Sequence, residues 1–477
     1  MPQLEPANQT IDNQLSRDAS AAAWGIWKSR SKRNSQLWLL GEWAQNRLGT
    51  PILEEGASEE LRDLARISRL GMCRVVVNTF KRGLSVVGFR SPDEADDDPV
   101  WTWWQRNRMD ARQQEIHKPA LTYGHAFCAL LPDDRTGEKA RPSFYSPLNA
   151  FAEYEEPDDL FPQVAVLTRD TAFGRSAFVV DDTWVTPIAM KKATDGAKTA
   201  VGGFTRHGFT ITGEPWRHDA TYDGRPVCPV VRFVDDASDE TGGRNPDRHG
   251  IGVVEPIIAL NKAMNQVNFD RLVVARYGAH DQKLIIGWSD SKDRLLKLGA
   301  AHVGAIDEHP DDVRVERWQA SALSPYSELI KELREQVALE AAIPLWAAGS
   351  MSNVSTDTAA FIEAAHQREL AIKRESYGEA WEQVLRLAIA MEGGTQPDDG
   401  AEVIWRDTNS RSFGGVVDGI SKLAAEGVPI EELLPLVPGL TQQTIKSIIK
   451  SKRKNEAATF AASILEEKQS STNNDFD

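Results

Sequence analysis

The sequence predicts an α+β protein: helices first, then a sheet, then a helical hairpin with an inserted head and one very long helix. Three observations predict it. Apolar residues recur at helical spacing before residue 121, with Leu61, Leu64, Ile67 and Leu70 the clearest series. From Tyr123 to Val234 the texture changes to short apolar runs separated by Gly, Pro and Asp turns. From Val253 onward two apolar-seamed helices flank an irregular, strand-rich insert, and a third helical pattern runs unbroken from Thr356-Asp357 to about Met391.

Met1 to about Ser20 is rich in Gln, Asn, Ser and Asp and reads as an arm without fixed structure. Trp24, Trp27, Trp38 and Trp43 are then interleaved with Lys28, Arg30, Lys32 and Arg33, which reads as a solvated helix face beside Trp anchors, with contact to nucleic acid as the alternative. Glu59 to Phe80 reads as one helix, Leu84 to Phe89 as a strand, Ser91 to Pro99 as an acidic loop, and Val100 to Leu121 as a further helix. Strands are expected at Ala126–Leu131, Ser143–Tyr145, Val164–Thr168, Ala177–Val180, Trp184–Ile188 and Val230–Phe233. Ala193 to Thr205 reads as a small-residue loop and Asp235 to Gly250 as a polar linker.

The hairpin opens with a helix from about Val254 to Tyr277, roughly 35 Å long at the helical rise. In the insert, Leu284–Trp288, His302–Ile306 and Val313–Trp318 read as strands, and Asp290–Leu298 as a short helix ending at Gly299. Ser324 is placed to cap the returning helix, with Pro325 in its first turn. Tyr326, Ile330, Leu333 and Val337 form its narrow apolar seam. Beyond the long helix come a strand at Ala401–Arg406, short helices at Gly414–Glu426 and Glu431–Leu436, and a last helix from Thr441 to about Gln469. From Ser470 the chain reads as an unstructured tail.

Composition bounds the function. The 477 residues are 41% hydrophobic and 26% charged, and no run of ~18 apolar residues suggests a bilayer span. No apolar leader follows Met1. The three cysteines, Cys73, Cys128 and Cys228, lie far apart in apolar runs, which predicts buried thiols in a reducing compartment. The formal net charge is −15, opposite to that of a protein gripping phosphates. No phosphate loop, dinucleotide fingerprint, zinc-binding helix or nucleophile elbow occurs. His125 and Cys128 fall on opposite faces of a strand, which is poor geometry for a catalytic pair. The acidic runs Asp93–Asp98, Asp235–Asp239 and Asp307–Asp312 lack calcium-loop spacing and read as solvated loops. His366 and Glu369 share a helical face and read as surface residues. No catalytic residue, metal or cofactor is expected.

The order of parts resembles the portal proteins of tailed bacteriophages, of the siphovirus type common in phages of actinobacteria. The resemblance spans about residues 20 to 465. It is carried by Gly250-Ile251-Gly252 through Tyr277, by Leu284–Trp318, by Ser324–Ala342, and by the small, polar Ile343-Pro344 to Ser355-Thr356 stretch running into a helix with Tyr377 and Trp381. Tyr123-Gly124-His125-Ala126 resembles the strand opening of that family's wing. Before the long helix, Ser355-Thr356-Asp357-Thr358-Ala359 departs from the family's Ser-Gly-x-Ala wording but keeps its small, polar character.

The resemblance implies an arm at 1–20, a wing at 21–250, a first stem helix at 251–278, a clip at 279–323 and a second stem helix at 324–342. A tunnel loop at 343–356, the long helix and remaining wing at 357–409, a crown at 410–469 and a tail at 470–477 would follow. It implies a homo-oligomeric ring, usually dodecameric, at one capsid vertex of the virion, assembled in the host bacterial cytoplasm. Double-stranded DNA would pass without sequence specificity, driven in by a separate terminase and later ejected. The terminase large subunit, a head-completion or adaptor protein, and the major capsid and scaffolding proteins would be partners, with no membrane involved. Competing readings are a nucleic-acid-processing or hydrolytic enzyme with a dispersed site, and a capsid protein without a channel.

Physical chemistry assigns residues to these parts. A channel that lets DNA slide must avoid deep electrostatic wells, and twelve copies of this chain would carry about −180 in all. Glu328, Glu332, Glu335 and Glu340 outweigh Lys331 and Arg334 on the second stem helix, and some of these carboxylates are expected to face the lumen. The DNA-facing loop would present Leu345, Trp346, Ser350, Met351, Ser352, Asn353 and Ser355. Lys283, Lys292, Arg294 and Lys297 make the insert locally basic and are expected to serve docking. The basic cluster Lys446, Lys450, Lys452, Arg453 and Lys454 is the candidate for weak contact with packaged DNA.

Overall fold

The computed structural model describes residues 34–90, 99–133, 137–156, 159–171, 174–192, 204–235, 250–278, 282–286, 314–318, 322–344, 346–349, 356–408, 413–429 and parts of 433–455. It is an α+β fold. The expected arm, the loop at Ser91–Pro99 up to residue 98, most of the insert and the tail lie outside the described residues.

Helices α1 (Asn34–Ala44), α2 (Glu59–Ile67) and α3 (Met72–Gly83) lead into β1 (Val86–Arg90). The Ser58 hydroxyl accepts from the Leu61 amide and caps α2, whose first turn carries Glu59 and Glu60 against the positive end of the helix dipole. The single helix expected over Glu59–Phe80 is in fact two. The Ser68 hydroxyl bonds back to the Ala65 carbonyl, and the chain turns before α3 starts after Gly71. Val100–Leu121 is likewise three pieces: α4 (Pro99–Arg106), α5 (Met109–Arg112) and α6 (Gln114–Tyr123). The first break is at Arg108, which adopts a left-handed conformation with φ 55°.

Two antiparallel sheets follow. In the first, β2 (His125–Asp133) lies between β3 (Glu138–Tyr145) and β12 (Val230–Val234). The second runs in sequence order through β4 (Ala150–Glu153), β5 (Val164–Thr171), β6 (Gly174–Val180), β7 (Trp184–Lys192) and β8 (Phe204–Ile211), with β9 (Trp216–Arg217) also on β7. Every strand expected here from sequence forms; β8 starts at the end of the stretch read as a small-residue loop. Strand alternation splits the interior: Cys128 and Leu130 face the main core, while Phe127 and Ala129 face a second cluster with Ala165, Leu167 and Val185. A short hairpin, β10 (Thr221–Tyr222) with β11 (Arg225–Pro226), precedes β12.

The hairpin consists of α7 (Ile258–Val273), a π-helical turn at Val274–Gly278, strands β13 (Gln282–Ile286) and β14 (Arg314–Trp318), and α8 (Ser324–Glu340). The two strands pair antiparallel, so the chain leaves along α7 and returns along α8. Ser324 is not the cap expected from sequence. The helix starts at Ser324 itself after Leu323, no side-chain cap bond forms, and Pro325 occupies the first turn.

The long helix α9 (Thr356–Glu392) spans 37 residues. It packs on β12, β3, α4 and β15 (Glu402–Trp405), which pairs with β1. Its Tyr377 and Trp381 are fully buried. Trp381 meets Trp104 and Phe233 edge to face, with ring centroids 5.1 and 5.0 Å apart. Helix α10 (Phe413–Ala425) and the helical residues 447–455 close the described chain.

Candidate functional site

Helix α7 is fixed to the N-terminal helices by a polar ladder. Asn261, Asn265 and Asn268 recur at i, i+4 and i+7, which puts them on one face, and all three are buried. Asn261 Oδ1 accepts from the backbone N–H of Met72 at 2.9 Å and of Cys73 at 3.3 Å, so a side chain of the hairpin caps α3. Asn265 accepts from the Leu70 amide at 2.7 Å and donates to the Gly49 carbonyl at 2.8 Å. Asn268 donates to the Ser68 carbonyl. At the far end, Arg276 forms an ion pair with Glu60 at 2.7 Å. The ladder was not anticipated from sequence; its signal is the asparagine spacing itself.

The start of the hairpin meets the head of β2. Gly124 has φ +86°, and a Cβ there would lie 1.7 Å from the Gly250 carbonyl oxygen. A Cβ on Gly252 would collide with the Thr122 and Leu121 carbonyls. The Val253 amide donates to Leu121 and the Asp235 amide to Gly124. The two glycine-bearing motifs singled out in the sequence therefore touch, backbone against backbone.

Beside this junction lies a buried ion pair. Lys373 Nζ is 3.0 Å from Asp235 Oδ1, which also accepts from the Tyr377 hydroxyl at 3.0 Å. Lys373 sits over the Phe80 ring and 3.4 Å from Glu369. Burial pushes the Asp235 carboxyl up, against the pull of Lys373. Asp235 is therefore not part of a solvated acidic loop as expected. His117 is also sealed in: its Nδ1–H donates to the Leu84 carbonyl, and Nε2 accepts from Trp381 Nε1 at 2.8 Å. Burial lowers its pKa to about 3, so it is neutral.

Helix α8 turns its seam inward: Ile330, Val337 and Ala338 are buried. Its opposite side carries Glu328, Glu332 and Glu335, at i, i+4 and i+7, then Leu339 four residues on. Glu328, Lys331 and Glu332 are exposed and Glu335 is half-buried, with Lys331 Nζ 4.0 Å from its carboxylate. The helix ends in a Schellman turn. Ile343 N–H bonds the Ala338 carbonyl, and Ala342 holds the left-handed position with φ 48° where glycine is usual. His366 of α9 reaches back so that its ring Nδ1 lies 3.0 Å from the Ala342 carbonyl, and burial lowers its pKa. His366 is thus buried, not the surface residue expected.

Of the loop residues singled out, Trp346 is described and exposed, on a turn anchored by buried Ile343 and Ala348. Leu345, Ser350, Met351, Ser352, Asn353 and Ser355 lie outside the described residues. Lys283 lies on β13 opposite Arg317; Lys292, Arg294 and Lys297 lie outside the described residues. Lys450, Lys452, Arg453 and Lys454 are exposed on a helical run, and Lys446 is outside the described residues. The α8 carboxylates are brought together on one side of the helix. Cys73, Cys128 and Cys228 are buried thiols pushed up in pKa by burial, with Cys73 at about 12.

The sequence is similar to those of portal proteins of phages. The portal protein of Mycobacterium phage D29 is 22% identical over 383 residues, covering 76% of this chain and 73% of that protein. That of Mycobacterium phage L5 is 22% identical over 381 residues, with the same coverage. Among solved structures, a chain from the virion of a native gene transfer agent particle aligns over 84% of this chain and 99% of its own length, at 12% identity and TM-score 0.45. A chain from the neck of an empty particle of that kind aligns over 80% and 94%, at 13% identity and TM-score 0.45. The profile for phage portal proteins of the SPP1 Gp6-like type matches residues 36–459, and the chain belongs to that family. Membership assigns it a structural role in a phage particle.

Proposed function

We propose that copies of this chain close into a ring around an axial channel at one capsid vertex. Double-stranded DNA enters through it, driven by a separate terminase, and leaves through it at ejection. In this reading residues 21–250 and 357–409 form the wing, 251–278 and 324–342 the stem, 279–323 the clip, 343–356 the tunnel loop and 410–469 the crown. The clip docks the terminase large subunit and later an adaptor, with Lys283, Lys292, Arg294 and Lys297 as contacts. Lys446, Lys450, Lys452, Arg453 and Lys454 meet packaged DNA.

The observation that supports this reading most is the outward side of α8. Three carboxylates stand in line on the face turned away from the chain's own core. Lining a lumen, they repel phosphate mildly and leave no site at which DNA would stall. Each phosphate neutralised by a cation would add salt-dependent affinity. The test is DNA retention by purified rings of the wild type and of a Glu328→Lys, Glu332→Lys variant. Wild-type rings should release duplex DNA at all salt concentrations. The variant should hold it at 50 mM salt and release it at 200 mM. Equal retention by the two would remove the stripe from the lumen.

A further inference from the structure

The end of α8 presents two large apolar side chains that the described residues leave uncovered. Leu339 is 85% exposed, the highest value among the exposed large hydrophobics described, and Trp346 is 53% exposed. Neither is on a loose segment. Leu339 follows buried Val337 and Ala338, and the turn bearing Trp346 is pinned by Ile343 and Ala348. Both are held ready for contact with a partner.

The two lie on different flanks. The left-handed Ala342 reverses the chain, and the turn folds back so that Gly349 comes beside the Arg334 guanidinium. Arg334 and Leu339 are five residues apart on the helix, roughly 140° around its axis. Arg334 and Leu339 both fall in the last two turns of α8, about 7.5 Å apart along its axis. Their charges are opposite. Glu335 and Glu340 flank Leu339, whereas Arg334 underlies the Trp346 turn. The buried Nε of Arg334 has no hydrogen-bond partner, and no carboxylate pairs with this side chain among the described residues. Different, complementary patches on two flanks of the helix do not satisfy each other within one chain. They fit a head-to-tail contact with a second copy, the contact type that closes into rings.

We infer that the Trp346 turn of one copy lies over Leu339 of the next, with Arg334 of the first facing Glu335 and Glu340 of the second. This rests on the ring reading and deepens it. The contact sits at the end of the carboxylate stripe, so Glu328 and Glu332 stay open to the lumen below it. The loop bases are then linked copy to copy around the channel.

The test uses the full chain with Leu339→Cys and Trp346→Cys, singly and together, treated with bismaleimidoethane after assembly. The native thiols at Cys73, Cys128 and Cys228 are buried and do not compete. The double variant should give a ladder of covalent multimers on a denaturing gel, and neither single variant should. Leu339→Ser should lower the ring fraction at fixed concentration at least tenfold in mass photometry. Rings with no ladder, or an unchanged ring fraction in Leu339→Ser, overturn this contact and leave the ring reading standing. A wild-type protein that forms no assembly beyond a dimer overturns both.

Discussion

The junction of α9 with the sheets and the outer end of α8 obey opposite rules. At the junction, the main polar groups find partners inside one chain: Lys373 meets Asp235, Tyr377 bonds the same carboxylate, and His117 uses both ring nitrogens. At the end of α8, a leucine, a tryptophan and an arginine stand without cover or counter-charge among the described residues. The first region holds the protomer together. The second, in the proposed ring, is covered by a neighbouring copy. Loss of a group should therefore cost folding stability at the junction and assembly at the helix end.

The largest effect on folding is expected from Lys373→Met. It leaves the Asp235 carboxylate buried without its cation, and breaking a buried pair costs about 3–5 kcal/mol. Urea unfolding should show that loss, and Lys373→Met combined with Asp235→Asn should recover part of it. Full stability in the single variant would mean that water reaches Asp235. Gly124→Ala should follow, at about 2–4 kcal/mol, because its Cβ would overlap the Gly250 carbonyl and a left-handed alanine is strained. The same unfolding measurement checks it.

Acid gives a third, smaller effect. His117 folds neutral with a pKa near 3, below its ordinary 6.5, so the unfolded chain binds its proton first. Its stabilisation is complete above pH 6.5 and is lost as pH falls toward 3. That is about 2 kcal/mol between pH 7 and pH 5. Asp235, raised in pKa, acts in the opposite sense and favours the folded state as pH falls through its folded value. Urea midpoints at the two pH values should differ less in His117→Gln than in the wild type. The smallest effect is at the other region: Leu339→Ser should change protomer stability by less than about 0.5 kcal/mol, since its side chain already faces water. A large loss on denaturation would mean that Leu339 belongs to the protomer's own core.

Elements whose periodicity is local were legible in the sequence. The long helix was visible because Thr356 to Met391 has no proline and an unbroken apolar face, and the expected strands because turns separate them. The breaks at Ser68–Gly71 and Arg108 were not, since no proline marks them and tertiary contacts set them; Asn261, for one, caps α3 from 189 residues away. Asp235 was misread for the same reason. It begins an acidic run, and its cation lies 138 residues further on. The α8 carboxylates were legible as an i, i+4, i+7 series. The pinning of the Trp346 turn was not, because it depends on the reversal at Ala342.

The most direct test of the central claim is single-particle electron microscopy of the purified full chain. The account predicts closed rings of roughly twelvefold symmetry with an open axial hole, and with Glu328 and Glu332 lining it. A compact oligomer without a hole, or a ring in which these carboxylates are buried between copies, would contradict it.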